Sequence, residues 1–110
     1  MDSGRLVFVS GQVALDSKGT LLGKDDLRAQ ARQVFENLRA ALEAADASFH
    51  DVIKLSTCVL DIAALAHFRA IRDEYVNTVN PPASTLVQVP RLFRPEFLLE
   101  VEAIAVVRNR

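Results

Sequence analysis

Residues 97–107 put the tightest limit on the fold. Along Phe97-Leu-Leu-Glu-Val-Glu-Ala-Ile-Ala-Val-Val107, Leu99, Val101, Ala103, Ala105 and Val107 share one face of an extended strand. Leu98, Ile104 and Val106 point the other way, beside Glu100 and Glu102. Both faces therefore carry apolar surface that water disfavours, and a single layer of helices covers only one of them. Alternation alone predicts a sheet with helices on one side and a second copy of the chain on the other.

The rest of the chain supplies the elements for that arrangement. Leu6-Val7-Phe8-Val9 is β-branched and aromatic, ends at Ser10-Gly11, and leads into the turn-forming Asp16-Ser17-Lys18-Gly19. From Asp25, the residues Leu27, Ala31, Val34, Leu38, Ala41, Leu42 and Ala45 recur at three- and four-residue steps, the period of a helix with one buried stripe. Asp25 and Asp26 suit its positive end. Residues 51–60 read as a strand with Ile53, Leu55, Thr57 and Val59 on one face. Asp61 is positioned to cap a second helix carrying Leu65, Phe68, Ile71 or Arg72, Tyr75 and Val79 along one side, stopped by Asn80-Pro81-Pro82. Strands over 84–89 and 97–107 follow, separated by the Pro90–Pro95 connection. The order strand, helix, strand, helix, strand, strand predicts an α+β fold with two helices on one face of the sheet. At 110 residues with 50% hydrophobic content, one domain spanning 1–110 is expected.

Charge and composition narrow the partners. With 13 basic and 14 acidic residues, the net charge of -1 gives no general attraction to a phosphate backbone or an anionic membrane, so neither nucleic acid nor membrane is expected as a partner. No apolar run approaches the roughly 18 residues a spanning helix needs. The start of the sequence resembles neither a secretory signal nor a transit peptide. One cysteine, Cys58, forms no internal disulfide, and His50 and His67 lack the spacing of a zinc site, so no metal is expected and a reducing, cytoplasmic setting is.

Glu100 and Glu102 are the residues that most need an explanation. Two carboxylates two positions apart on an otherwise apolar strand face are either paired with arginines or backbone amides in a subunit interface, or one of them moves protons in a cleft. Cys58, in a strand with no basic neighbour in sequence, reads as a buried thiol rather than a nucleophile. His50 and His67 read as structural or solvated. Ser10-Gly11-Gln12 can present backbone amides to a ligand, or simply turn the chain. Arg69, Arg72, Arg91 and Arg94 are surface residues by default, although an arginine beside Ser84 or Glu100 would bind a carboxylate in two-pronged fashion.

Taken together, Val9-Ser10-Gly11-Gln12, Ala29-Gln30-Ala31-Arg32-Gln33, Val52-Ile53-Lys54, Val59-Leu60-Asp61, Tyr75, Pro82-Ala83, Val89-Pro90-Arg91-Leu92 and Glu100-Val101-Glu102-Ala103-Ile104-Ala105 resemble the RidA/YjgF (Rid) family over nearly the whole chain. The resemblance implies a chorismate-mutase-like α+β fold and a homotrimer with sheets inward, helices outward and ligand clefts between subunits. It also implies hydrolysis of reactive enamines or imines to keto compounds and ammonia, without cofactor. Within that scheme, Glu100 matches the glutamate that handles the water proton, Glu102 the structural acid, and Ser10, Gly11, Ser84, Thr85 and Leu86 the pocket lining. Two departures stand out. The family's substrate-binding arginine follows the Pro-Ala step, where this chain has Ser84, and Leu86 replaces a frequent cysteine. The segment that supplies a pocket tyrosine in many relatives is missing or very short here. Arg69 falls where relatives place a cavity-lining Asn from the neighbouring subunit, and is the candidate to restore the positive charge.

Three functions follow. The first is an imine or enamine deaminase acting through Glu100 on a small imine, enamine or keto-acid ligand. The second is a non-catalytic metabolite-binding or regulatory homologue that kept the cleft and lost turnover with the arginine. The third, an endoribonuclease or translation inhibitor, fits poorly with a slightly acidic chain of 6% aromatics and no basic stripe.

Overall fold

A computed structural model describes residues 4–108. Its elements are strand β1 (Arg5–Gln12), helix α1 (Leu27–Ala44), strand β2 (Val52–Val59), helix α2 (Leu65–Arg72), strand β3 (Ala83–Gln88) and strand β4 (Leu99–Val107), with short 3-10 turns at Phe49–Asp51 and Ile62–Ala64. The four strands form one sheet in the order β1-β4-β2-β3. β4 is antiparallel to both β1 and β2, and β2 runs parallel to β3 through the α2 crossover. The element order and the α+β class agree with the sequence reading.

α1 begins at Leu27, directly after its acidic pair. Asp26 is the N-cap and accepts the Ala29 backbone N–H at 3.1 Å, while Asp25 stands outside the helix with a φ of 57°. At the other end the Asp46 N–H reaches the Glu43 carbonyl and the Ala47 N–H the Leu42 carbonyl, a Schellman closure with Asp46 in the left-handed position that glycine usually takes. The buried face includes Ala31, Val34, Leu38 and Leu42 as the periodicity indicates, and also Gln30 and Phe35, which it did not single out.

Phe35 centres the core. Its ring lies 6.1 Å from Phe49, 5.9 Å from Phe68 and 5.1 Å from Tyr75, so α1, the turn before β2 and the α2 region close on one aromatic cluster. Leu55, Val59, Leu99, Val101 and Ala105 complete it from the sheet and are fully buried. Gln30 is a polar strut within this layer: its amide donates to the Gly23 and Glu96 carbonyls and accepts the Leu98 N–H.

Two expectations are corrected. β2 carries an irregularity against β4 between Val52 and Lys54, so Val52 turns into the core and Ile53 is 47% exposed, contrary to the strict alternation read for this strand. α2 ends at Arg72, well before Asn80-Pro81-Pro82, and Val79 is 85% exposed rather than part of the buried stripe. Val76, from the turns that follow the helix, is buried there instead.

Candidate functional site

The face of the sheet away from the helices is open. On β4, Leu99, Val101, Ala103 and Ala105 are buried under the helices, while the residues between them look outward. Register assigns the neighbours: Glu100 opposite Cys58, Glu102 opposite Ser56, and Ile104 opposite Lys54 on β2 and Phe8 on β1. This face divides in two. Its apolar half holds Leu6 and Phe8, at 58% and 70% exposure, with Ile104 and Val106 beside them. Its polar half holds Glu100, Glu102, Lys54, Ser56 and Thr85.

None of the four ion pairs among the described residues involves Glu100 or Glu102, so within one chain neither carboxylate has the arginine that a purely structural role would supply. Arg32 pairs with Glu74, Arg39 with Glu36, Arg72 with Asp73, and Arg94 with Glu96. Cys58 faces both glutamates. Burial first, and then the charges of Glu100 and Glu102, push its thiol pKa up, although Cys58 is half-buried on this face rather than the fully buried thiol the sequence suggested.

Gly11 is the residue that meets Glu100. β1 continues through Ser10 and Gly11 to Gln12 rather than turning there, and its register against β4 shifts between Val9 and Gln12. A Cβ placed on Gly11 would lie 2.5 Å from the Glu100 carboxyl carbon. Gly11 also lines a surface cavity of about 410 Å³, with Gln12, Val13, Asp16, Ser17 and Asn37 around it. A cavity of about 390 Å³ at Asp61 and His67 shares no lining residue with it.

The remaining sequence candidates lie elsewhere in the chain. Ser84 is paired with Leu55 and Leu86 with Thr57, both on the helix-covered face, and Leu86 packs against the core. Thr85 is on the open face and accepts a hydrogen bond from the Lys54 ammonium at 2.5 Å. Arg69 is exposed on α2, on the helix side of the sheet. Within one chain, then, Gly11 and Glu100 come together, whereas Ser84, Leu86 and Arg69 are on the opposite side of the sheet. His67 accepts a hydrogen bond from Arg28 at 2.8 Å, linking α1 to α2. No group of three or more His, Cys, Asp or Glu able to hold a metal occurs among the described residues.

The sequence reading passed over Lys54. Period-2 alternation already put it on the outward face of β2, where it is the one cation that the four strands place beside the two glutamates.

Comparison with known proteins now bears on the site. Residues 1–107 match the family model described as endoribonuclease L-PSP. A crystal structure of a conserved Rid-family protein of unknown function from Yersinia pestis superposes with a TM-score of 0.89 at 38% identity, covering 96% of this chain and 80% of that one. This chain belongs to the Rid family. A RutC family protein of Pyrococcus horikoshii is 39% identical over 103 residues, covering 94% of this Rid chain and 80% of the relative. A 2-iminobutanoate/2-iminopropanoate deaminase of Salmonella typhimurium is 36% identical over 110 residues, covering 98% and 84%. The Rid assignment agrees with the fold, which superposes on solved family structures with TM-scores of 0.89 and 0.86. No helix among the described residues is long and apolar enough to cross a membrane.

Proposed function

We propose that this Rid protein hydrolyses small reactive enamines or imines to the keto compound and ammonia, at a cleft between copies of the chain, with Glu100 as the proton-transfer group. The observation that carries the reading is the Glu100 carboxylate, set on an open sheet face against Gly11 and without an ion-pair partner among the described residues. The deaminase relative from Salmonella, similar over 98% of the chain, supports the reaction class. Water attacks the imine carbon while the Glu100 carboxylate takes one of its protons and passes it to the nitrogen, giving a carbinolamine; the hydroxyl proton then follows through the same carboxylate to the nitrogen as the C–N bond breaks. Oxygen ends in the keto group and nitrogen in ammonia. No cofactor or metal takes part.

The distribution of the other candidates supports assembly. Ser84, Leu86 and Arg69 can share a cleft with Glu100 only if two chains contribute, because within one chain the sheet separates them. An open face bearing Leu6, Phe8, Ile104 and Val106 gives identical chains a reason to associate, and the family resemblance supports a homotrimer as that assembly. A cytoplasmic setting, where such imines arise from amino-acid metabolism, belongs to the same proposal.

The test is ammonia release from 2-iminobutanoate and 2-iminopropanoate generated in situ. Wild-type chain accelerates it, and Glu100→Gln loses about 10²-fold or more in kcat. Equal rates for the two proteins would remove Glu100 from the chemistry. Ser84 in the place of the family's arginine favours a second reading, a metabolite-binding protein without turnover, which would show ligand-induced melting shifts and no ammonia. The endoribonuclease named in the family model's description finds less support in a chain of net charge -1, and RNA cleavage that survives removal of contaminating nuclease would reverse that judgement.

A further inference from the structure

Gly11 has no conformational reason to be glycine. The described glycines with positive φ are Gly4, Gly19 and Gly23, whereas Gly11 sits in β1 with backbone angles open to any L residue. What excludes a side chain there is space. A Cβ on Gly11 would meet the Glu100 carboxyl carbon and Oε1, each at 2.5 Å, and Glu100 Cγ at 2.8 Å. At Gly4 the nearest obstacle is the Val107 carbonyl oxygen of the backbone, and at Gly23 it is α1 itself, so those two are packed against fixed structure. Gly11 differs because its three nearest heavy atoms all belong to the flexible end of one ionisable side chain.

We infer that Gly11 is a positioning residue for Glu100: the missing Cβ forms a notch in the β1 bulge where the carboxyl group rests, and this fixes the carboxylate's position on the open face. The inference deepens the proposed hydrolysis and rests on it for its kinetic consequence. A glutamate has three rotatable bonds and, on an open face without an ion pair, no other partner to select among its rotamers. The register shift between Val9 and Gln12 places Gly11 where only its hydrogen atoms face the carboxyl group. Proton transfer requires the base within hydrogen-bond reach of the attacking water, and a misplacement of about 1 Å costs on the order of 10²-fold.

A methyl group at Gly11 should therefore move Glu100 while sparing the fold, because the displaced atoms are the end of a flexible chain. Gly11→Ala is expected to lower kcat for 2-iminobutanoate about 10- to 100-fold, with KM changed much less and the melting temperature close to wild type. The deciding readout is coupling: in a Glu100→Gln background, Gly11→Ala should cost no further activity, since the group it displaces is already disabled. Independent losses that multiply in the double variant would overturn the inference and make Gly11 a direct contact of substrate. A second readout needs no turnover. In protein carrying 13C-labelled glutamate carboxyls, Gly11→Ala should shift the Glu100 resonance and leave that of Glu102 in place, and an unmoved Glu100 resonance would equally overturn it. If Glu100→Gln alone has no effect on ammonia release while the resonance still moves, the hydrolytic function fails and the positioning contact stands.

Discussion

The two faces of the sheet are built from the same strands, one residue out of phase, yet they obey different rules. On the helix side every apolar residue of β4 from Leu99 to Ala105 is buried, and Gln30 satisfies the Gly23, Glu96 and Leu98 backbone groups it meets. On the open side Phe8 is 70% exposed, Glu100 and Glu102 lack ion pairs among the described residues, and the Lys54 ammonium is spent on a threonine hydroxyl. A face finished within the chain holds the fold together. A face left unfinished shows where something outside the chain belongs, and in this protein the candidate chemistry lies on it.

The sharpest way to break that contrast is to remove one aromatic ring from each face. Phe35→Ala should cost about 3–5 kcal/mol, because Phe35 is fully buried and touches three other rings. Phe8→Ser should cost a dissociated chain less than about 1 kcal/mol, yet shift the assembly toward monomer. Urea unfolding together with sedimentation separates the two effects. A Phe8→Ser protein of unchanged mass would take the apolar half of the open face out of the interface. Next in size is Gln30→Ala, which leaves the Gly23 and Glu96 carbonyls and the Leu98 N–H without their partner and should cost about 2–4 kcal/mol by the same unfolding measurement.

The finished face has one flaw, and correcting it sharpens the comparison. The Thr57 hydroxyl is buried with no hydrogen-bond partner among the described residues. Thr57→Val keeps the shape and removes the stranded polar atom, so it should raise stability by about 1 kcal/mol, visible as a higher melting temperature. The smallest effect concerns the Arg32–Glu74 pair that ties α1 to the turn after α2 at 2.5 and 3.0 Å. The Arg32 hydrogen bond holds the Glu74 carboxyl below its ordinary 4.5. A native value lowered in this way contributes stability above the unfolded pKa, and that contribution is lost as pH falls through the native one. Both side chains are about half exposed, so screening keeps the effect small. Glu74→Gln should lose slightly less melting temperature than wild type between about pH 6 and pH 3, and an identical loss would show the pair to be inert.

What was legible in the sequence was whatever alternation or periodicity encodes within one element. The two-sided character of β4, the stripe of α1 and the placement of Glu100 and Glu102 on one face of an apolar strand all follow from counting along the chain. What was not legible depends on partners distant in sequence. The bulge that sends Ile53 outward exists only against β4. The early end of α2 at Arg72 reflects turns that bury Val76, not the prolines ten residues on. The parallel register of β2 and β3 puts Ser84 and Leu86 on the face away from Glu100, and no local pattern in an edge strand reveals that. Gly11 read as a turn or amide donor because its meaning lies in the atoms of Glu100, 89 positions along the chain.

The central claim is that identical chains cover the open face and that Glu100 lies in the seam between them. Sedimentation equilibrium of the purified chain at micromolar concentration tests this most directly. Three times the 12.1 kDa chain mass is the predicted result. A stable species of one chain mass, with the Glu100 carboxyl open to bulk water, would contradict it.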